Sequence, residues 1–180
     1  RSARQFARCE QPLVLTGKSW IKGVNTVFQI EQLDPNVAGF EMDVYFDTLK
    51  NYLQVYHDSS GYATLNIESI LAVYKDRNLS SSIWLDFKNL SAHNEIQSLN
   101  YITALRKQYQ LYNKLIVESS SPQFLQSFCD SGFYTSYYAP YFNPYRISEE
   151  ELVNQLDSIS NALGKYKVSS ISGYYFQYPV

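Results

Sequence analysis

The run Gly39-Phe-Glu-Met-Asp-Val-Tyr-Phe restricts the fold more than any other part of this chain, because Phe40, Met42, Val44 and Phe46 alternate without a break with Glu41, Asp43 and Tyr45. A period of two is the mark of a strand, since successive side chains leave a pleated backbone on opposite sides. One face is wholly apolar and the other carries two carboxylates whose Cα atoms stand roughly 7 Å apart. An apolar face that dense needs a partner layer. The same sequence spacing makes the acidic face suited to a shared metal ion, although a solvated edge strand would also show it.

The rest of the chain supplies the partner layer. Asn25 to Leu33 places Val27, Ile30 and Leu33 at helical spacing and stops at Asp34-Pro. Leu53-Gln-Val-Tyr-His-Asp is a second extended run, close enough behind the first to form a hairpin with it. The pattern then repeats: a helix over Ala63 to Tyr74, a strand over Ser82 to Lys88, a helix over Asn94 to Tyr112, and a strand over Lys114 to Glu118. Pro122 opens a further helix to about Cys129, Tyr134 to Tyr141 reads as an aromatic strand, and Ser148-Glu-Glu-Glu starts a helix to about Tyr166. Val168 to Tyr175 is the last strand, and Leu13-Val-Leu-Thr is a candidate first one. Strands alternating with helices define an α/β class with parallel pairing. A doubly wound sheet and a barrel both satisfy it. No composition shift marks an internal boundary, so residues 1–180 read as one domain.

Composition narrows the function. Fifteen Lys and Arg against 17 Asp and Glu, giving a net charge of -2, lack the basic excess that a phosphate backbone requires, so no nucleic-acid partner is expected. No apolar run reaches the length of a membrane helix, so no transmembrane segment is expected. Cys9 and Cys129 are far apart in the chain and show neither a metal-ligand spacing nor a disulfide framework. The first residue is Arg1 and Met42 is the lone methionine, which tilts the expected location toward secreted or periplasmic. There is no P-loop, GxGxxG, HExxH or GxSxG.

Chemistry gathers at the ends of the strands. Trp84, Asp86 and Lys88 share one face of their strand, His57 and Asp58 close the hairpin strand, and the carboxyl ends of parallel strands form the site face in α/β folds. Glu118, Tyr137, Tyr141 and Tyr175 are candidate pocket-lining residues from the later strands. His93 has no patterned neighbours and reads as incidental.

The order Ile21-Lys-Gly-Val-Asn-Thr26, Gly39-Phe-Glu-Met-Asp-Val, Val55-Tyr-His-Asp58 and Leu85-Asp-Phe-Lys88 resembles the glycerophosphodiester phosphodiesterases among the phosphatidylinositol phospholipase C-like enzymes. Their pattern runs HRGxxxNT, GAxxIExDV, VxxHD and IEIK, and the resemblance spans residues 21 to about 120. It implies a (β/α)8 TIM-type barrel that cleaves small phosphodiesters with two histidines and a divalent cation, Ca²⁺ or Mg²⁺. Carried over position by position, it implies Glu41, Asp43 and Asp86 as metal ligands, His57 and Lys88 as catalytic groups, and Lys22 at the phosphate. The other catalytic histidine falls on Ile21, which can carry no proton. A weak phosphodiesterase follows, or else a catalytically inactive barrel that binds a phosphate or other polar ligand. A ring of this kind usually takes about 250 residues, and about six strands are legible here, the candidate at Leu13 and main ones near residues 40, 83, 115, 136 and 170. The barrel is therefore expected to be incomplete, with a longer natural chain, a partner or a shortened topology covering the gap. Oligomeric state is open.

Overall fold

The structure, a computed structural model, describes residues 8–14, 17–57 and 65–177. Its strands are β1 (Trp20–Ile21), β2 (Gly39–Asp47), β3 (Tyr52–Val55), β4 (Leu65–Asn66), β5 (Ser82–Phe87), β6 (Leu115–Ser119), β7 (Tyr134–Tyr138) and β8 (Ser170–Ser172). They form one sheet ordered β4-β3-β2-β5-β6-β7-β8, with β1 beside the first half of β2. β1, β2, β5, β6, β7 and β8 run parallel, whereas β3 and β4 are an antiparallel ribbon on β2. Among the described residues the sheet is not closed, and β8 is the last strand in its order. This is an α/β architecture of incomplete-barrel type.

Helices α1 (Val27–Glu31), α2 (Ile67–Asp76), α3 (Glu95–Gln108), α4 (Pro122–Asp130) and α5 (Glu149–Lys165) follow the parallel strands or the ribbon. The apolar face of β2 answers the demand made by its sequence: Phe40, Met42 and Val44 are fully buried with Ile83, Leu85 and Val117 of β5 and β6, against Ile70 and Leu71 of α2, Ile102 of α3 and Phe128 of α4. Each such side chain contributes about 1.5–3 kcal/mol by leaving water. Local chemistry sets the helix starts. Thr26 Oγ1 accepts from Gln29 N–H, Asn66 Oδ1 from Glu68 N–H, and Ser148 forms a capping box with Glu151. Asn66 is why α2 begins at Ile67 and not at the expected Ala63, since Leu65 and Asn66 are drawn into pairing with β3. Residues 63 and 64 lie outside those described. Among the described residues no helix is long and apolar enough to cross a membrane.

Two expectations are corrected here. Leu13 and Val14 form no strand; Val14 N–H donates to Asn113 O, its carbonyl accepts from Ser82 Oγ, and residues 15 and 16 are outside the described set. This segment crosses beneath the starts of β5 and β6 instead of running alongside them. Cys9 and Cys129 are joined in a disulfide, with Cα atoms 5.8 Å apart. Their distance in sequence hid the pairing, because only the folded arm brings them together. That arm begins at the open edge, where Cys9 N–H donates to Val168 O, and Gln11 Nε2 then reaches Cys129 O. It ends at β1, just after Ser19 O accepts from Ala38 N–H. The arm is a strap across the floor of the sheet. Gly39 is required at its far end, since a Cβ there would stand 2.3 Å from the Trp20 ring.

A disulfide spanning 120 residues removes much of the freedom of the unfolded chain. Replacing both Cys9 and Cys129 by Ser should lower unfolding free energy by about 2–5 kcal/mol in urea titrations followed by fluorescence. A loss below about 0.5 kcal/mol would mean that the strap holds without the bond.

Candidate functional site

Strand register assembles the site. β2, β5, β6, β7 and β8 pair in phase, so that Asp43, Asp86, Glu118, Ser136 and Ser170 stand side by side across the sheet, with Glu41 and Trp84 opposite each other two residues earlier. Residues in register share a face, and this is the face opposite the helix-covered core. A row of polar groups thus crosses the inner face near the carboxyl ends of the parallel strands, the position at which barrel enzymes carry their chemistry.

Glu41, Asp43 and Asp86 converge, each offering a carboxylate oxygen such that all three lie within 4.8 Å of one another. Glu41 and Asp43 are both only 3% exposed. Like charges this close need donors, and three residues provide them. The loop after β1 supplies two. Gly23, in the left-handed region at φ 72°, turns its N–H onto Glu41 Oε2 at 2.7 Å. Asn25 bonds twice to Asp43, its Oδ1 accepting from the backbone N–H at 2.9 Å and its Nδ2 donating to Oδ2 at 2.7 Å. Lys88, just past β5, supplies the third: its Nζ lies 2.7 Å from Asp43 Oδ1 and also pairs closely with Asp86 Oδ2. Burial alone would lower the Lys88 pKa, but its bonds to the two aspartates outweigh that and raise it. Burial raises the pKa of Glu41, opposed by the Gly23 N–H and reinforced by Asp43.

Glu118 is 1% exposed, and desolvation pushes its pKa up to about 7. Ser172 Oγ donates to it in a short contact, Ser136 also favours its charged form, and the charge on Asp86 opposes it. The Trp84 indole N–H is near enough to favour the Glu118 carboxylate, yet it makes no well-formed hydrogen bond among the described residues. Below this layer Trp84 meets Trp20 edge-on, with ring centroids 6.2 Å apart. At the rim, Tyr45 and Tyr56 stack at 4.2 Å beside Lys88, and Tyr138 contacts Tyr174 on the far side.

The remaining sequence candidates are placed as follows. Lys22 is exposed after β1, and its charge favours ionised Glu41. His57 is exposed beyond β3, next to Tyr56, whose N–H donates to Asp43 O; its ring is not part of the three-carboxylate group. Asp58 lies outside the described residues. Ile21 pairs with Phe40 and is 42% exposed. Tyr137 does not line the pocket: it is 5% exposed in the apolar core, because Ser136 takes the inner face and Tyr137 must take the other. Tyr138 replaces it. Tyr141 and Tyr175 are exposed in an aromatic cluster with Tyr174 and Phe176. Sequence reading gave no role to Asn25, Ser136 or Ser172. The parity of Tyr134-Thr-Ser-Tyr-Tyr could have shown Ser136 as the neighbour of Glu118, but only with the register known.

The open, mostly parallel sheet with its helices is similar in fold to solved structures of known proteins. Two solved structures carry that comparison. A glycerophosphodiester phosphodiesterase from Parabacteroides distasonis superposes with a TM-score of 0.52 and 16% identity, covering 93% of each chain. A putative glycerophosphoryl diester phosphodiesterase from Silicibacter pomeroyi gives 0.51 and 11% identity, over 93% of this chain and 91% of that one. No protein-family model matches the chain, and no curated protein matches it in sequence.

A buried Glu118 that holds its proton to about pH 7 has a folded pKa above its unfolded value. The folded state then binds more protons between pH 4.5 and about 7, so stability falls as pH rises through that window and levels off above it. Glu118→Gln should remove about 3 kcal/mol of that decline. Urea midpoints measured from pH 4.5 to 8 check this; equal slopes in both proteins would contradict it.

Proposed function

We propose that this chain is a metal-assisted phosphodiester hydrolase of glycerophosphodiesterase-like type, acting on a small phosphodiester. One observation carries the reading: three carboxylates from two neighbouring strands meet within 4.8 Å at the carboxyl end of a barrel-type sheet. The donor set fits a hard divalent cation such as Ca²⁺ or Mg²⁺, which prefers carboxylate oxygens. Glu41, Asp43 and Asp86 would hold it. When bound, such a cation polarises phosphoryl oxygens and offsets the charge developed during displacement.

The chain's own residues divide the remaining work. Lys22 and Lys88 supply positive charge for the phosphate oxygens. His57, on the rim beside the β3 end, is the acid–base group that takes a proton from the attacking hydroxyl or returns one to the leaving alkoxide. Ile21, where the related pattern has histidine, supplies no second proton carrier. Loss of one such group typically slows turnover by about 10²–10⁴-fold. The same observation favours a second reading, a barrel that binds a phosphate-bearing ligand without turnover. The disulfide supports folding in an oxidising compartment, secreted or periplasmic.

Calorimetric titration should find Ca²⁺ or Mg²⁺ binding that Asp43→Asn abolishes and His93→Ala leaves intact. Glycerophosphocholine and glycerophosphoinositol should be hydrolysed slowly or not at all by the natural chain, and Ile21→His should raise the rate. Family-like rates untouched by His57→Ala would overturn the role of His57.

A further inference from the structure

The place of a divalent cation is already taken by a positive charge. Lys88 Nζ bridges Asp43 Oδ1, at 2.7 Å, and Asp86 Oδ2. The second oxygen of Asp43 is held by Asn25 Nδ2 at 2.7 Å, and Glu41 Oε2 by the Gly23 N–H at 2.7 Å. Both oxygens of Asp43 are therefore engaged, one by a charged donor and one by a neutral amide. A calcium ion needs direct contact at about 2.3–2.6 Å. Lys88 Nζ occupies one oxygen of each aspartate, Asp43 Oδ1 and Asp86 Oδ2, so an ion bound through those oxygens has to replace the ammonium. The neutral amide of Asn25 presents no such conflict.

We propose that Lys88 is the resident cation of this site, that a divalent ion binds by displacing its ammonium from Asp43 and Asp86, and that the displaced ammonium then faces the anion which the ion binds. The proposal rests on the cation reading given above and adds the exchange. Charge accounts for its direction. Three carboxylates with Lys88 in place sum to -2 and remain attractive to a dication; with the dication seated the sum, Lys88 included, is zero. The Lys88 side chain is 30% exposed, so solvent is open to it when it leaves. The ammonium keeps the metal-free site folded and weakens its affinity for the ion, because each ion bound must break two charge-assisted hydrogen bonds. It is also withheld from an anionic ligand until the ion is in place.

The test compares calcium titrations of the wild type, K88M and K22M. Lys22 is the control because it acts on Glu41 through space, without a bond to the aspartates. K88M should bind Ca²⁺ about tenfold more tightly than the wild type. K22M should change affinity by about threefold or less, since exposed charges are screened. A crystal structure of the calcium-loaded wild type, which needs no variant to fold, should show Lys88 Nζ in contact with at most one of Asp43 and Asp86. Calcium binding by the wild type with K88M no tighter than K22M, or a loaded site in which Lys88 keeps both contacts, would overturn the exchange and leave the cation reading standing. Absence of binding to both wild type and K88M at millimolar calcium would overturn the two together.

Discussion

Two carboxylates about 4 Å apart repel by about 4 kcal/mol at an effective dielectric near 20, and this site holds three. Most of what surrounds them is a response to that repulsion. Lys88 sits on two of the three, the loop after β1 brings the Gly23 N–H to Glu41 and the Asn25 amide to Asp43, and Thr26 in the same loop caps α1. The short β1, only two residues long, matters chiefly because it delivers this loop. Its pairing with Gly39 and Phe40 fixes where Gly23 and Asn25 can reach.

Such a concentration of charge is tolerable only on a rigid support. β2 provides one by being buried on its other face, where Phe40, Met42 and Val44 lock it to its helices. Beyond the acids, Asn89 ties β5 to β2 with two bonds to the backbone of Phe46, so that Lys88 leaves the sheet at a set point. Below them, Trp20 and Trp84 fill the inner face, and Gly39 is small enough to admit the Trp20 ring. Groups carried on strands and backed by such packing hold their geometry better than groups on loops.

How much of this could be read from the sequence depended on whether the information was local. The alternation of Phe40 to Phe46 and of Trp84 to Lys88 is local, and it alone places the acids on one side of their strands. Pairing is not local. Nothing in Tyr134-Thr-Ser-Tyr-Tyr says which parity faces Glu118, and it is Tyr138, not the expected Tyr137, that shares the inner face with Ser136. Asn25 lay inside a legible motif, but its grip on Asp43 depends on how the chain turns at Gly23. Cys9 and Cys129 are the extreme case, since nothing short of the folded strap brings them together.

That strap also sets an order of events. The residues around Cys9 take their places against Cys129 and Val168, which leave the ribosome more than a hundred residues later. Loop closure over such a span is slow compared with local strand and helix formation. The inner sheet, β2 with β5 and β6, can therefore assemble while the arm is still free. For that interval the Cys9 thiol has no native partner within reach, and the chain relies on its surroundings to keep that thiol from bonding elsewhere.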